Sequence, residues 1–127
     1  MSMATKKLTG INWLADVAEH NYPAARSYLS LLYSDARVAE IMAGFKSAAI
    51  VEFKAKDIFR ASRLSLLGVS NSHIEKDRNK ILAGKKLSPI LLLRDQQNGR
   101  VVVADGYHRL CAIYGFDEDA LIHCKIV

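Results

Sequence analysis

Two cysteines in 127 residues are too few for a disulfide framework, and neither lies at the spacing of a zinc-ligand pair. No apolar run approaches the roughly 20 residues that a membrane-spanning helix needs, so no membrane partner is expected. The first ten residues carry Lys6 and Lys7 but no apolar stretch ahead of a cleavage site, and no secretory signal is expected there. Internal repeats, low-complexity tracts and linkers are missing as well. What remains is half hydrophobic and 24% charged, an ordinary globular composition that excludes wholesale disorder. The length suits one domain. These absences lead us to expect a soluble, cytoplasmic protein with reduced thiols.

The net charge of +5 is unevenly placed. Residues 1–52 hold five basic and five acidic side chains, whereas residues 53–127 hold thirteen basic and eight acidic. The whole excess therefore lies in the second part of the chain. A positive balance there favours phosphate-bearing partners, nucleotides or nucleic acid.

Periodicity divides the chain near residue 50. Residues 1–49 read as a helical segment with three helices. Ile11, Leu14, Val17 and Ala18 recur at helical spacing through His20, where the imidazole would complement the end of the helix dipole. Asn21-Tyr22-Pro23 opens a second helix with Ala24, Tyr28, Leu31 and Leu32 on one face, proline being suited to a first turn. The tyrosines at 22, 28 and 33 read as packing residues. Ser34 is the expected cap of a third helix carrying Val38, Ile41, Met42 and Phe45.

Residues 50–127 read as one compact α+β unit in the order β-α-β-β-α-β, a small mixed sheet with flanking helices. Ile50–Phe53 is β-prone, and residues 56–60 suit a short helix. Residues 68–72 have loop chemistry, and Ser72 with Glu75 reads as a capping box for a helix that stops at Gly84. Pro89 opens the apolar run Ile90–Leu93, too short for a helix and bounded by turn residues. Asn98-Gly99 predicts a tight hairpin with positive φ at both positions, returning through residues 100–104. A helix over His108–Tyr114, stopped by Gly115, and a strand over Leu121–Val127 complete the chain.

The stretch that carries chemistry is Ala104-Asp105-Gly106-Tyr107-His108-Arg109, at the junction of a strand and a helix. Amides at a helix start lack internal partners and favour an anion. Gly106 permits a close approach to the backbone. His108 and Arg109 add donors in the same turn, and the guanidinium fork matches phosphate oxygens. Asp105 can hold a divalent metal, orient a hydroxyl, or lock His108 or Arg109 in place. A plain turn with a structural ion pair among these residues accounts for the same pattern.

Three features in order resemble the ParB/sulfiredoxin-like superfamily over residues 50–127. They are the helix ending near Gly84, then Leu87-Ser88-Pro89-Ile90-Leu91-Leu92, then Arg100 through Ala112 with Gly106-Tyr107-His108-Arg109 at its centre. The Asp-Gly-x-His-Arg form is similar to that of the free serine kinases grouped there. The resemblance implies a nucleotide, ATP or CTP, with magnesium, held by Gly106, Tyr107, His108 and Arg109. It implies further that Ser88 and the helix bearing Lys76 and Lys80 line that site, and that Asp105 and His108 serve catalysis, with Asp105 placing the metal. Phosphoryl transfer or hydrolysis would be the reaction.

Two departures narrow this expectation. Sulfiredoxins carry their cysteine nucleophile where this chain has Tyr107, and a phenol cannot replace a thiolate, so sulfinic acid reduction is not expected. Cys111 and Cys124 read as core residues. ParB domains carry arginine where this chain has His108, so a sequence-specific DNA clamp is not expected either. Two other functional classes stay open. One is a DNA-binding or nuclease module using the basic second part. The other is a regulatory protein without turnover, whose leading helices contact a partner or pair two copies into a homodimer.

Overall fold

The computed structural model describes residues 10–65 and 72–127. The elements are α1 (Asn21–Leu29), α2 (Asp35–Ser47), β1 (Val51–Lys54), α3 (Ala55–Ser62), α4 (Ser72–Leu82), β2 (Ile90–Asp95), β3 (Arg100–Asp105), α5 (Tyr107–Phe116) and β4 (Leu121–Ile126). The strands form one mixed sheet in the order β1-β4-β2-β3, in which β4 and β2 run parallel and the outer pairs antiparallel. The chain is an α+β protein with helices on both faces of a small sheet.

The apolar run of β2 explains its inner position. A strand buried on both faces reads as continuously hydrophobic. Its alternate residues feed two cores. Ile90 and Leu92 join Val103, Ile122 and Cys124 beneath Ile58, Ile74, Leu110 and Ile113 from α3, α4 and α5. Leu91 and Leu93 join Val102 and Ala104 beneath Leu29, Val38, Ile41 and Phe45 from α1 and α2. The N-terminal helices thus cover one face of the sheet and the later helices the other. Among the described residues, no helix is long and apolar enough to cross a membrane.

Helix α2 forms where the sequence places it. The Ser34 hydroxyl accepts from the Arg37 amide at 3.3 Å, and Val38, Ile41, Met42 and Phe45 are buried. The end of α4 is equally local. Gly84 has φ +73°, its amide donates to the Ile81 carbonyl, and the Lys85 amide donates to the Lys80 carbonyl. This double bond pattern around a left-handed glycine closes a helix. The expected loop at residues 68–71 lies outside the described residues, and Ser72 is the first helical residue of α4.

Four expectations are corrected. Residues 11–20 are not a helix. Their backbone pairs with Leu87, through Leu14 N to Leu87 O at 2.8 Å and Leu87 N to Asn12 O at 2.7 Å, so distant partners take the bonds a helix would use. His20 accordingly precedes α1 instead of ending a helix. Helix α1 buries Tyr22, Ala25 and Leu29, while Tyr28, Leu31 and Leu32 are exposed. Both stripes have helical spacing, and anchoring of Asn21 on Ser88 selects the first. The hairpin is a single turn over Gln96–Asn98 closed by Gly99, and only Gly99 has positive φ, at +62°. Asn98 instead donates its side-chain amide to Asp95 at 2.9 Å. Finally, α5 runs through Gly115 to Phe116, whose ring lies 4.3 Å from the Arg78 guanidinium. That contact offsets the roughly 1 kcal/mol that a helical glycine costs.

Candidate functional site

Strand β3 carries a bulge immediately before its end. Leu91 pairs with Asp105 but Leu92 with Val103, leaving Ala104 as the extra residue. A bulge bends its strand and re-aims the residues beyond it. Gly106 then takes φ +106°, ψ +14° and caps α5. The amide of Leu110 donates to the Gly106 carbonyl at 2.9 Å as the helix begins, so the amides of Tyr107, His108 and Arg109 precede the internal ladder. Gly106 is required by packing as well as by φ, because Ile90 lies directly against it.

Asp105 and Arg109 are brought together. The guanidinium Nη2 donates to the Asp105 carboxylate at 2.9 Å, with side chains 17% (Arg109) and 15% (Asp105) exposed. Of the roles open to Asp105, locking Arg109 is the one this geometry performs. The Arg109 Nε is buried with no acceptor, a condition that costs about 1–3 kcal/mol.

His108 is drawn toward α4. Its ring stacks on His73 with centroids 4.8 Å apart and 28° between planes, and the Tyr107 ring lies 5.6 Å from it. His73 and His108 are each the second residue of their helix, so the stack sets the opening turns of α4 and α5 side by side. Arg78 meets Phe116 further along, so the two helices run in the same sense. Sequence reasoning reads His73 as a solvated first-turn residue able to lean toward a ligand, and does not reveal its pairing with His108. The cap pattern places it in a first turn, but its partner is 35 positions away.

Tyr107 donates its hydroxyl to the Ser65 carbonyl. Burial, with the adjacent Cys111 thiol, pushes its phenol up to about 12, which keeps it neutral and removes it as a nucleophile. Burial also pushes the Cys124 thiol up to about 12. Both cysteines are buried.

The remaining site expectations divide. Lys76 is exposed one turn beyond His73, and Lys80 is half-buried two turns beyond it, about 10 Å along the axis at 1.5 Å per residue. Ser88 lies elsewhere. Its hydroxyl accepts from the Ala18 amide at 2.9 Å and from Asn21 Nδ2 at 2.6 Å, and donates to the Pro89 carbonyl at 3.3 Å. That fills the one-donor, two-acceptor capacity of a hydroxyl, so Ser88 ties the N-terminal segment to β2 and leaves nothing for a ligand.

A magnesium ion fits this corner poorly. Asp105 already faces a guanidinium, and among the described residues no three His, Cys, Asp or Glu side chains gather in a way that would hold a metal.

Elsewhere, sequence reasoning misses a buried cation. Lys125 of β4 is 3% exposed, donates to the Tyr22 hydroxyl at 3.0 Å and pairs with Asp16 at 3.0 Å. No local pattern signals it, because its burial follows from the inner position of β4, a strand covered on both faces.

Comparison with protein-family models, with curated proteins and with solved structures returned no match.

Proposed function

We propose that this protein binds a nucleoside triphosphate, ATP or CTP, at the corner where α4 and α5 begin. The observation that carries this reading is the His73–His108 stack. It gathers two helix starts and two imidazoles at one place, and the residue after His108 is Arg109, whose guanidinium is held by the Asp105 carboxylate. Helix starts and cationic donors favour phosphate, and an aromatic ledge of His73, His108 and Tyr107 suits a stacked base. Lys76 adds charge one turn along. An anion drawing the guanidinium outward would also give the orphaned Arg109 Nε an acceptor. The likeness of Asp105 through Arg109 to the superfamily motif supports the same ligand class. In this reading Asp105 is a positioning residue for Arg109, and the protein works in the cytoplasm, where nucleoside triphosphates are plentiful.

Thermal denaturation with ATP, CTP, GTP, ADP and inorganic triphosphate tests this. A ligand that binds only the folded state raises the melting temperature as its concentration passes Kd. We expect a rise with at least one triphosphate, abolished in Arg109→Ala and His108→Ala. An unchanged melting temperature with all five ligands rejects the reading.

A further inference from the structure

Helix α3 covers its end of the sheet incompletely. It buries Ala55, Ile58 and Ser62, but Ala61, one turn beyond Ile58, brings only a methyl to the space beside it. What is left is a cleft of about 240 Å³ walled by Phe53, Ile58, Ala61, Leu92, Val101 and Ile126, from α3 and all four strands. Two exposed charged groups line it as well, Asp57 and Arg94. They are not equivalent. Asp57 pairs with Arg60 at 3.6 Å. Arg94 has no carboxylate partner among the described residues, and its neighbour Asp95 is held by Arg100 at 3.0 Å and by Asn98 at 2.9 Å. Strand alternation puts Arg94 on the face of Ile90 and Leu92. Its charge acts on the Cys124 thiol of that face, against the burial that pushes the thiol up. The guanidinium thus stands over the apolar space.

We propose that this cleft binds a small monocarboxylic acid, its apolar body inside and its carboxylate on Arg94. Size, walls and charge each fit that occupant. An apolar cavity of about 150 Å³ holds benzene, so this one takes a single ring or a branched chain with its carboxylate, and leaves no room within it for a further residue. The walls are apolar, so the interior takes hydrocarbon, whose removal from water drives binding. The planar guanidinium receives both carboxylate oxygens at once. One available guanidinium beside the Asp57 carboxylate suits a single negative charge, whereas a doubly charged phosphate would need a second cation and Arg60 is engaged by Asp57. The site is separate from the nucleotide corner. Gly106 packs on Ile90 at the start of β2, and Arg94 lies four residues along that strand, about 13 Å away.

Titration calorimetry of the full chain with 4-methylpentanoate and phenylacetate tests it. At least one should bind with a Kd of roughly 1 mM or tighter and a negative heat-capacity change, the mark of apolar burial. Acetate lacks the body and 4-methylpentanamide lacks the charge, and each should bind about tenfold more weakly or worse. Arg94→Gln should weaken binding roughly tenfold or more, and should leave the free protein's melting temperature unchanged because the exposed side chain has no hydrogen-bonded partner to lose. Ala61→Leu fills the cleft and should abolish binding in a protein at least as stable as the wild type. Neither variant should alter the response to nucleoside triphosphates. Failure of both acids to bind at roughly 10 mM overturns the proposal. Binding that survives both Arg94→Gln and Ala61→Leu overturns it equally, because the acid then sits elsewhere. Tighter binding of N-acetyl-leucine than of either free acid would assign the cleft to the end of a peptide and overturn the choice of occupant.

Discussion

Gly106 lies so close to Ile90 that a β-carbon added to the glycine would stand 2.3 Å from the isoleucine Cγ2 and 2.9 Å from the Arg109 Nη2. The approach that makes this position glycine comes from the protein's own core. It presses the start of α5 onto β2 and thereby fixes where Tyr107, His108 and Arg109 project. Gly106→Ala combines a left-handed φ with overpacking, each costing about 1–3 kcal/mol. We expect a loss of about 2–5 kcal/mol in denaturant unfolding, the largest of any glycine-to-alanine change among the described residues. A loss under about 1 kcal/mol would show that β2 and α5 separate easily.

The Asp105–Arg109 pair separates two roles for the carboxylate. As a positioning group, Asp105 in the Asn form keeps the shape and an acceptor oxygen but loses the charge. Stability should fall by about 1–2 kcal/mol, because a mostly buried guanidinium loses its counterion. Triphosphate should still raise the melting temperature, with weaker affinity as Arg109 loses its orientation. Titration calorimetry of Asp105→Asn checks this. Complete loss of binding with unchanged stability would assign Asp105 to the ligand instead.

Ser88→Ala has the opposite signature. It leaves the Ala18 amide and the Asn21 side-chain amide without their acceptor, at a cost of about 2 kcal/mol. Ligand affinity should be unchanged. A weakened triphosphate response in a variant of normal stability would return Ser88 to the site.

How much of the fold is legible in the sequence depends on the range of the forces involved. Helix α2 has its cap, its stripe and its length within 14 residues, and β2 is declared by its own apolar run. The turn at Gly84 needs only the left-handed glycine. Residues 11–20 carry an equally good helical stripe, yet their bonds go to Leu87, which no local pattern reveals. Gly115 reads as a stop until Phe116 and Arg78 meet across two helices. The site divides in the same way. Asp105 through Arg109 are contiguous and visible as a motif, whereas the His73 half of the stack exists only after α4 packs on α5. Lys125 is hidden because its environment depends on which strand occupies the inner position of the sheet.

Lys125 and Asp16 give the protein a pH-dependent contribution whose sign can be worked out. The hydrogen bond from Lys125, then that from the Val17 amide, holds the Asp16 carboxyl below its ordinary range. Burial pulls Lys125 down, but its bonds to Tyr22 and Asp16 outweigh burial and leave it raised. A carboxylate lowered by folding contributes stability above its unfolded pKa near 3.9, and loses it as pH falls through the folded value. A lysine raised by folding contributes fully below its unfolded pKa near 10.4, and loses it as pH rises through the folded value. Stability from this pair should therefore be level across neutral pH and fall at both extremes. The two single variants should differ. Asp16→Ala strands a buried ammonium, yet the carboxylate it removes is 68% exposed, so solvent screening reduces the cost from that of a fully buried pair to about 1 kcal/mol. Lys125→Met removes the buried charge and leaves Asp16 in water. It should be neutral or stabilising at pH 7 and should flatten the alkaline limb of the stability profile. Denaturant unfolding of both variants from about pH 3 to about pH 11, a span that brackets both unfolded pKa values, checks this. Greater loss at pH 7 for Lys125→Met than for Asp16→Ala would show that the ammonium holds Tyr22, and with it α1, against the sheet.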